Sequence, residues 1–122
     1  MKTLFISDLD GTLLGRDAKP SDFTVKTVNS LIEKGFDITF ATARSISSAE
    51  KILEKFELKL PAVMMNGVCI TDVKAKKQLN TFAIEQSAVQ SIIDVFEKHG
   101  RPPMQFTYNG DISVSYKAVK SE

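Results

Sequence analysis

The sequence is poor in several features that would point to particular classes of protein. It has one cysteine, Cys69, among 122 residues, which excludes an internal disulfide and suits a reducing compartment. The formal net charge is only +1, so nothing favours nucleic acid or an anionic membrane surface as a partner. No apolar run is long enough to span a bilayer, and Asp8 and Asp10 interrupt the apolar start that a signal peptide would need. We therefore expect a cytoplasmic protein that binds neither nucleic acid nor membrane.

What the sequence does contain is an ordinary globular composition with a regular alternation of apolar strands and amphipathic helices. Hydrophobic residues make up 43% and charged residues 25%, and the length suits one domain better than two. Three short apolar segments alternate with two helical patterns, which are introduced by Ser21 or Asp22 and by the capping-box sequence "SSAE" at Ser47. Gly35 is in the position of a glycine that ends the first helix. The segments read "LFI" from Leu4, "FDITFAT" from Phe36 and "AVMMNG" after Pro61. This alternation predicts a Rossmann-like, doubly wound parallel sheet, with the first strand buried on both faces.

The pattern changes after Gly67. The segment "VCITDVKAKKQLNTFAI" predicts two strands around a lysine-rich turn near Ala75. A helix from about Glu85 to Lys98 follows, and its apolar spacing predicts that Val89, Ile92, Ile93 and Phe96 are buried. The segment "MQFTYNGDISVSY" then predicts a hairpin around Asn109-Gly110. We expect one α/β unit over residues 1–83 and a second, antiparallel α+β unit over residues 84–122.

Two aspartates stand at the end of the first strand, in "LFISDLDGTLL". A tight turn is one explanation, because Asp-Gly is a favoured turn dipeptide. The other explanation is a ligand site, because ligands of doubly wound sheets bind beyond the carboxyl ends of the strands. Asp8, Thr42 and Asn66 each follow one of the three predicted strands, so their side chains can converge.

Phosphoryl transfer through an aspartyl-phosphate is the chemistry that fits paired carboxylates in this position. A carboxylate can attack phosphorus when Mg²⁺, bound by oxygen ligands, offsets its repulsion from the phosphate. A second carboxylate can then protonate the leaving oxygen and later activate water. Gly11 allows a tight turn whose backbone N–H groups can hold phosphate oxygens.

At this point the sequence resembles the haloacid dehalogenase (HAD) superfamily, in its Cof-type branch, subclass IIB. The resemblance rests on "DLDGTLL", on "TFATARS" and on "MMNG", which occur in the family's order. It implies that Asp8 is the nucleophile and a Mg²⁺ ligand, and that Asp10 is the general acid/base with its backbone carbonyl on the metal. The substrate it implies is a small phosphorylated metabolite such as a sugar phosphate.

The same resemblance assigns substrate contacts to the other motif residues. Thr42 would bind the transferred phosphoryl group together with backbone amides near Leu9 and Ala43, and Arg44 and Asn66 would lie near the substrate mouth. The family usually has glycine where this chain has Ala43, a change that keeps the backbone amide and matters only if φ there is positive.

The resemblance implies two further motifs: a later one with a catalytic lysine and an acidic Gly-Asp-Gly-x-Asn-Asp motif. Neither occurs in this sequence. We therefore expect residues 1–83 to be the N-terminal part of a HAD core and residues 84–122 the beginning of an α/β cap. The alternatives to a phosphatase are a phosphomutase or other phosphotransferase on the same scaffold, and a catalytically silent module that binds phosphate or a protein partner.

Overall fold

The computed structural model describes residues 3–101, 103–108 and 112–115. The chain divides into two compact units, Met1–Phe82 and Ala83–Glu122. The elements of the first unit are β1 (Leu4–Ser7), α1 (Asp22–Glu33), β2 (Asp37–Phe40), α2 (Ile46–Leu53), β3 (Ala62–Met64), β4 (Cys69–Asp72) and β5 (Lys77–Thr81). Those of the second unit are α3 (Gln86–Lys98), β6 (Gln105–Tyr108) and β7 (Ile112–Ser115).

The first unit combines parallel and antiparallel pairing. Strands β1 and β2 run parallel, with Ser7 opposite Phe40. A parallel bridge between Ala41 and Val63 brings β3 alongside the end of β2. Strands β3, β4 and β5 form an antiparallel sheet in that order. The predicted mixed α/β architecture with a parallel sheet is confirmed, and the carboxyl ends of β1, β2 and β3 lie at one edge.

Helix α1 begins and ends as its sequence predicts. The Ser21 hydroxyl accepts the backbone N–H of Thr24 at 3.1 Å, which is an N-cap. At the other end, Gly35 has φ +90° and donates its N–H to the Ile32 carbonyl at 3.0 Å, while the N–H of Phe36 bonds the Leu31 carbonyl at 3.1 Å. This pair of bonds is a Schellman motif, which needs the left-handed conformation that glycine adopts without strain.

Helix α2 begins two residues earlier than its sequence predicts. Ser45 occupies the N-cap position, and Ser47 lies inside the first turn, so the predicted capping box at Ser47 is wrong. The Ser45 hydroxyl contacts the hydroxyls of Ser47 and Ser48 and makes no capping bond to the backbone. Three serines in four positions offer competing starts, and sequence spacing alone does not choose between them.

The core of the first unit lies between the helices and the strands. Phe40 and Phe56 pack edge to face with ring centroids 4.9 Å apart. Strand β1 is less covered, since Leu4 is 51% and Ile6 54% exposed, so the expected burial on both its faces is wrong. Over the described residues β1 pairs with β2 alone. Burial of a parallel strand requires neighbours and covering layers on both sides.

The second unit contains a helix and an antiparallel hairpin. Strands β6 and β7 pair with Gln105 opposite Ser115, which confirms the two predicted strands, while Asn109 and Gly110 lie outside the described residues. The expected burial of the apolar face of α3 is wrong, because Ile92 is 39% and Phe96 45% exposed. Periodicity identifies the apolar face of a helix, but burial depends on a covering surface, and the described residues do not provide a complete one.

Candidate active site

A cleft of about 400 Å³ opens where β1, β2 and β3 end. Its walls come from Val63 in β3 and from the segments that follow the three strands, so residues far apart in sequence share one space. The residues lining it are Asp8, Asp10, Ala41, Thr42, Ala43, Val63, Asn66 and Gly67. This volume is within the range that holds a small ligand.

The turn after β1 presents the two aspartates by burying the leucine between them. Leu9 is fully buried in the core, whereas Asp8 and Asp10 on either side of it are exposed. The N–H of Leu14 closes the turn on the Leu9 carbonyl at 2.9 Å, and Gly11 has φ +75°, a conformation that favours glycine. The segment does form a tight turn, and that turn presents both aspartates at the cleft, so the turn and the ligand-site explanations are compatible.

Thr42 connects the ends of β2 and β3. Its backbone N–H donates to the Val63 carbonyl at 2.9 Å, and its carbonyl accepts the N–H of Asn66 at 3.1 Å. The residue is 4% exposed, and its hydroxyl oxygen accepts the backbone N–H of Arg44 at 3.2 Å. Because the oxygen acts as acceptor in that bond, the hydroxyl hydrogen remains able to donate.

The loop after β3 is held in an unusual backbone conformation. Met65, Asn66 and Gly67 all have positive φ, at 53°, 55° and 95°. Met65 donates its N–H to the Arg44 carbonyl at 3.0 Å, which ties this loop to the one after β2. Non-glycine residues in the left-handed region are strained, and such strain clusters at functional sites. Ala43 is absent from the described residues with positive φ, so its backbone does not require the glycine usual at this position.

Arg44 and Asp10 form a two-point ion pair across the loops. Arg44 Nε lies 2.7 Å from Oδ2 of Asp10, and Nη2 lies 2.6 Å from Oδ1. Arg44 Nη1 is 3.4 Å from the Ser48 carbonyl in α2. The hydrogen bonds from Arg44, together with its charge, lower the pKa of Asp10 below its ordinary value against a smaller effect of burial. The pair with Arg44 therefore favours the carboxylate form of Asp10.

The family is identified by comparison with known proteins. A family model for haloacid dehalogenase-like hydrolases matches residues 5–122. The chain belongs to this family. Among its relatives is a candidate phosphatase of Mycoplasma pneumoniae, which is 37% identical over 90 residues, a match that covers 74% of this chain and 31% of that protein. Another is the HMP-PP phosphatase of Yersinia pestis, 34% identical over 74 residues, covering 61% of this chain and 27% of that protein.

Solved structures of HAD proteins share the fold. A haloacid dehalogenase-like hydrolase from Bacteroides thetaiotaomicron has a TM-score of 0.73 at 18% identity, covering 99% of this chain and 46% of that one. A sugar phosphatase of HAD subclass IIB has a TM-score of 0.66 at 24% identity, covering 93% of this chain and 44% of that one. The match thus spans about a third or less of each curated relative and under half of each solved chain. None of the helices in the described part of the chain is both long and apolar enough to cross a membrane.

The residues of this HAD cleft suit a hard cation only in part. Within the described residues, no three acidic, histidine or cysteine side chains lie close enough together to hold a metal ion. The cleft does offer the Asp8 carboxylate and the backbone of Asp10, and Mg²⁺ is often bound by one or two carboxylates with waters and substrate phosphate completing its shell. Arg44 engages both oxygens of the Asp10 carboxylate. Asp8 accepts one hydrogen bond from the described residues, from the Leu9 N–H to its Oδ1 at 2.7 Å, so Asp8 is the freer of the two.

Five of the eight residues expected at the HAD site line the cleft, namely Asp8, Asp10, Thr42, Ala43 and Asn66. The other three, Leu9, Gly11 and Arg44, shape the loops around it. The walls also include Ala41, which lies in the motif "TFATARS", Gly67, which lies in "MMNG", and Val63, which no motif indicates. The Asp10–Arg44 ion pair was not predicted, because opposite charges after neighbouring strands do not by themselves show which side chains pair.

Proposed function

We propose that this chain carries the nucleophile half of a Mg²⁺-dependent phosphomonoester hydrolase that acts through an aspartyl-phosphate. The observation that carries the proposal is the shared cleft: the Asp8 and Asp10 turn, Thr42 and Asn66 all line one space beyond three strand ends. Relatives named as phosphatases, one of them a 5-amino-6-(5-phospho-D-ribitylamino)uracil phosphatase of Bacillus subtilis, support a small phosphorylated metabolite as substrate. The size of the cleft is compatible with such a molecule.

In the first step, a carboxylate oxygen of Asp8 attacks the phosphorus of the substrate. A bond forms between that oxygen and phosphorus while the bond from phosphorus to the leaving oxygen breaks. This step needs Asp10 in its protonated form, which Arg44 disfavours in the free site. Asp10 gives that proton to the leaving oxygen and is left as the carboxylate that Arg44 favours. The Thr42 hydroxyl and the backbone N–H groups of the surrounding loops donate hydrogen bonds to the phosphoryl oxygens as negative charge builds on them.

In the second step, Asp10 acts as a base. It removes a proton from a water molecule, whose oxygen bonds to phosphorus as the bond to Asp8 breaks and phosphate is released. The carboxylate form that Arg44 maintains is the one this step uses. Mg²⁺ would be held by the Asp8 carboxylate and the Asp10 backbone carbonyl, and when bound it supplies positive charge that offsets the repulsion between Asp8 and the phosphate.

The test measures hydrolysis of p-nitrophenyl phosphate by the 122-residue chain with and without Mg²⁺. We expect Mg²⁺-dependent release of nitrophenol that Asp8→Asn reduces to background and that Asp10→Asn lowers by roughly 10²- to 10⁴-fold. Asp17→Asn is the matched control, since Asp17 is an exposed aspartate on a loop outside this cleft and its substitution should leave the rate unchanged.

Trapping the covalent intermediate separates the alternatives. Acid quenching after incubation with a labelled phosphoester should leave hydroxylamine-sensitive label on the wild type and none on Asp8→Asn. Transfer of the label to an added sugar rather than to water would indicate a phosphotransferase. The absence of both label and turnover from a folded chain would refute the proposal for this polypeptide and leave a phosphate- or partner-binding module.

A further inference from the structure

We propose that Arg44 is a positioning residue for the general acid/base: its guanidinium fixes the orientation of the Asp10 carboxylate at the cleft. The sequence resemblance had suggested a different role, at the substrate mouth. The inference rests on the proposed function, because it is there that Asp10 transfers protons. Arg44 is not among the residues that line the cleft, whereas Asp10 is.

The contact between the two side chains restricts rotation. Nε and Nη2 of Arg44 engage the two different oxygens of Asp10, at 2.7 and 2.6 Å. A planar fork that binds both oxygens fixes the plane of the carboxylate as well as its position, which a single point charge cannot do. The Asp10 side chain is half exposed, at 50%, so it would otherwise sample several rotamers.

Arg44 is itself anchored from three directions. Its backbone N–H bonds the Thr42 hydroxyl at 3.2 Å, and its carbonyl accepts the N–H of Met65 at 3.0 Å. Its guanidinium also contacts the Ser48 carbonyl in the first half of α2 at 3.4 Å. The orientation imposed on Asp10 is therefore set by the loops after β2 and β3 and by a helix.

A role in binding the phosphoryl group would require different contacts. Nε and Nη2 of Arg44 already hydrogen-bond the Asp10 carboxylate. A phosphate that bound these two atoms would have to displace that carboxylate. A phosphate-binding arginine acts mainly on substrate affinity, whereas a positioning residue acts on the step that its partner performs. Kinetics can distinguish these two behaviours.

The kinetic test compares aryl phosphates with leaving groups of increasing basicity. Proton donation matters most for a basic leaving group, so Asp10→Asn should lose more activity on phenyl phosphate than on dinitrophenyl phosphate. If Arg44 positions Asp10, Arg44→Gln should show the same trend, with a loss at least roughly 10-fold greater on phenyl phosphate and a KM changed less than about 2-fold. Arg44→Lys should recover part of kcat, because lysine keeps the charge but not the fork.

The double variant Asp10→Asn, Arg44→Gln should be no slower than Asp10→Asn alone, since Arg44 acts through Asp10. Arg16→Gln, which alters an exposed arginine elsewhere, is the control and should behave as wild type. A loss in Arg44→Gln that is equal for all leaving groups, or that falls on KM, would overturn the inference. Additive losses in the double variant would do the same.

A second readout does not depend on turnover. Scalar couplings between the α and β protons of Asp10 should report one χ1 rotamer in the wild type and in Asp8→Asn, and rotamer averaging in Arg44→Gln. Averaged couplings in the wild type would overturn the inference whether or not the chain is active. Failure of the proposed function would give a different result. Turnover and covalent label that depend on Asp8 would both be absent, while the Asp10 couplings would still be those of a single rotamer.

Discussion

At the scale of single residues, the Thr42 hydroxyl has both a structural and a chemical task. Its oxygen accepts the N–H of Arg44, and its hydrogen remains able to donate to a group bound in the cleft that Thr42 lines. Thr42→Val has nearly the same shape but can do neither. We expect it to lower the free energy of unfolding by about 1–3 kcal/mol, because a part-buried N–H loses its acceptor. Activity should fall by roughly 10²-fold with the loss of one donor to the phosphoryl group.

Thr42→Ser is the matched control, since serine keeps the hydroxyl and loses only a methyl group. Urea unfolding followed by circular dichroism gives the stability, and aryl phosphate hydrolysis gives the activity. The interpretation fails if serine and valine lose activity equally, because the methyl group would then be the important part of the side chain.

Residue types at the site were predictable, but their partnerships were not. Asp8, Thr42 and Asn66 could be found because each follows an apolar strand, and the ends of parallel strands meet at one edge. The Asp10–Arg44 pair joins residues 34 positions apart, and it depends on loop conformations set by Gly11 and by the positive φ angles at Met65 and Asn66. The spacing of residues in the sequence does not predict those loop conformations.

At the scale of secondary-structure elements, α1 and α2 provide a controlled comparison of helix capping. Ser21 caps α1 through a bond to the Thr24 N–H, whereas Ser45 occupies the N-cap position of α2 with no such bond. Ser21→Ala should therefore cost about 1 kcal/mol, or roughly 5 °C in Tm. Ser45→Ala should cost no more than about 0.5 kcal/mol, as for an ordinary surface substitution.

Thermal unfolding of both variants in the same buffer checks this expectation. Ser21→Asn, which preserves a capping acceptor, should stay close to wild type. Equal losses in Ser21→Ala and Ser45→Ala would mean that the hydroxyl network of Ser45, Ser47 and Ser48 stabilises α2 as strongly as a direct cap stabilises α1.

The types of the secondary-structure elements could be predicted from the local sequence pattern. The start of α2 and the burial of β1 and α3 could not. The Gly35 end of α1 was predictable because a Schellman motif leaves a clear glycine signal. The start of α2 was not, because Ser45, Ser47 and Ser48 are chemically equivalent candidates. The burial of β1 and α3 was overestimated. A pattern of apolar residues identifies the face of an element that can be buried, but it does not show whether the described residues pack against that face.

At the scale of the whole molecule, an exposed segment of the chain joins the two units. Residues 82–85 lie between β5 and α3, and each of them is exposed; Phe82 is 59% exposed. Their identity as HAD core and cap stays a prediction from the resemblance. If the units are separately folded, the peptide bond after Phe82 is the natural point at which a protease would separate them, because proteases cut exposed, extended backbone first.

Limited digestion of the full chain with chymotrypsin tests this. We expect the first cleavage after Phe82, giving two fragments of which the one containing residues 1–82 resists further digestion. Phe23 is the internal control: it is more exposed than Phe82, at 78%, but it lies in α1, which must unfold locally before a protease can bind. Phe82 lies outside the helices and strands and is held by a backbone bond from its N–H to the Val68 carbonyl at 2.7 Å. Mass spectrometry of early time points identifies the first site. First cleavage at Phe23 would mean that side-chain exposure, and not the division into units, decides where the protease cuts. Scattered cleavage throughout residues 3–82 would mean that the first unit is not a stably folded body.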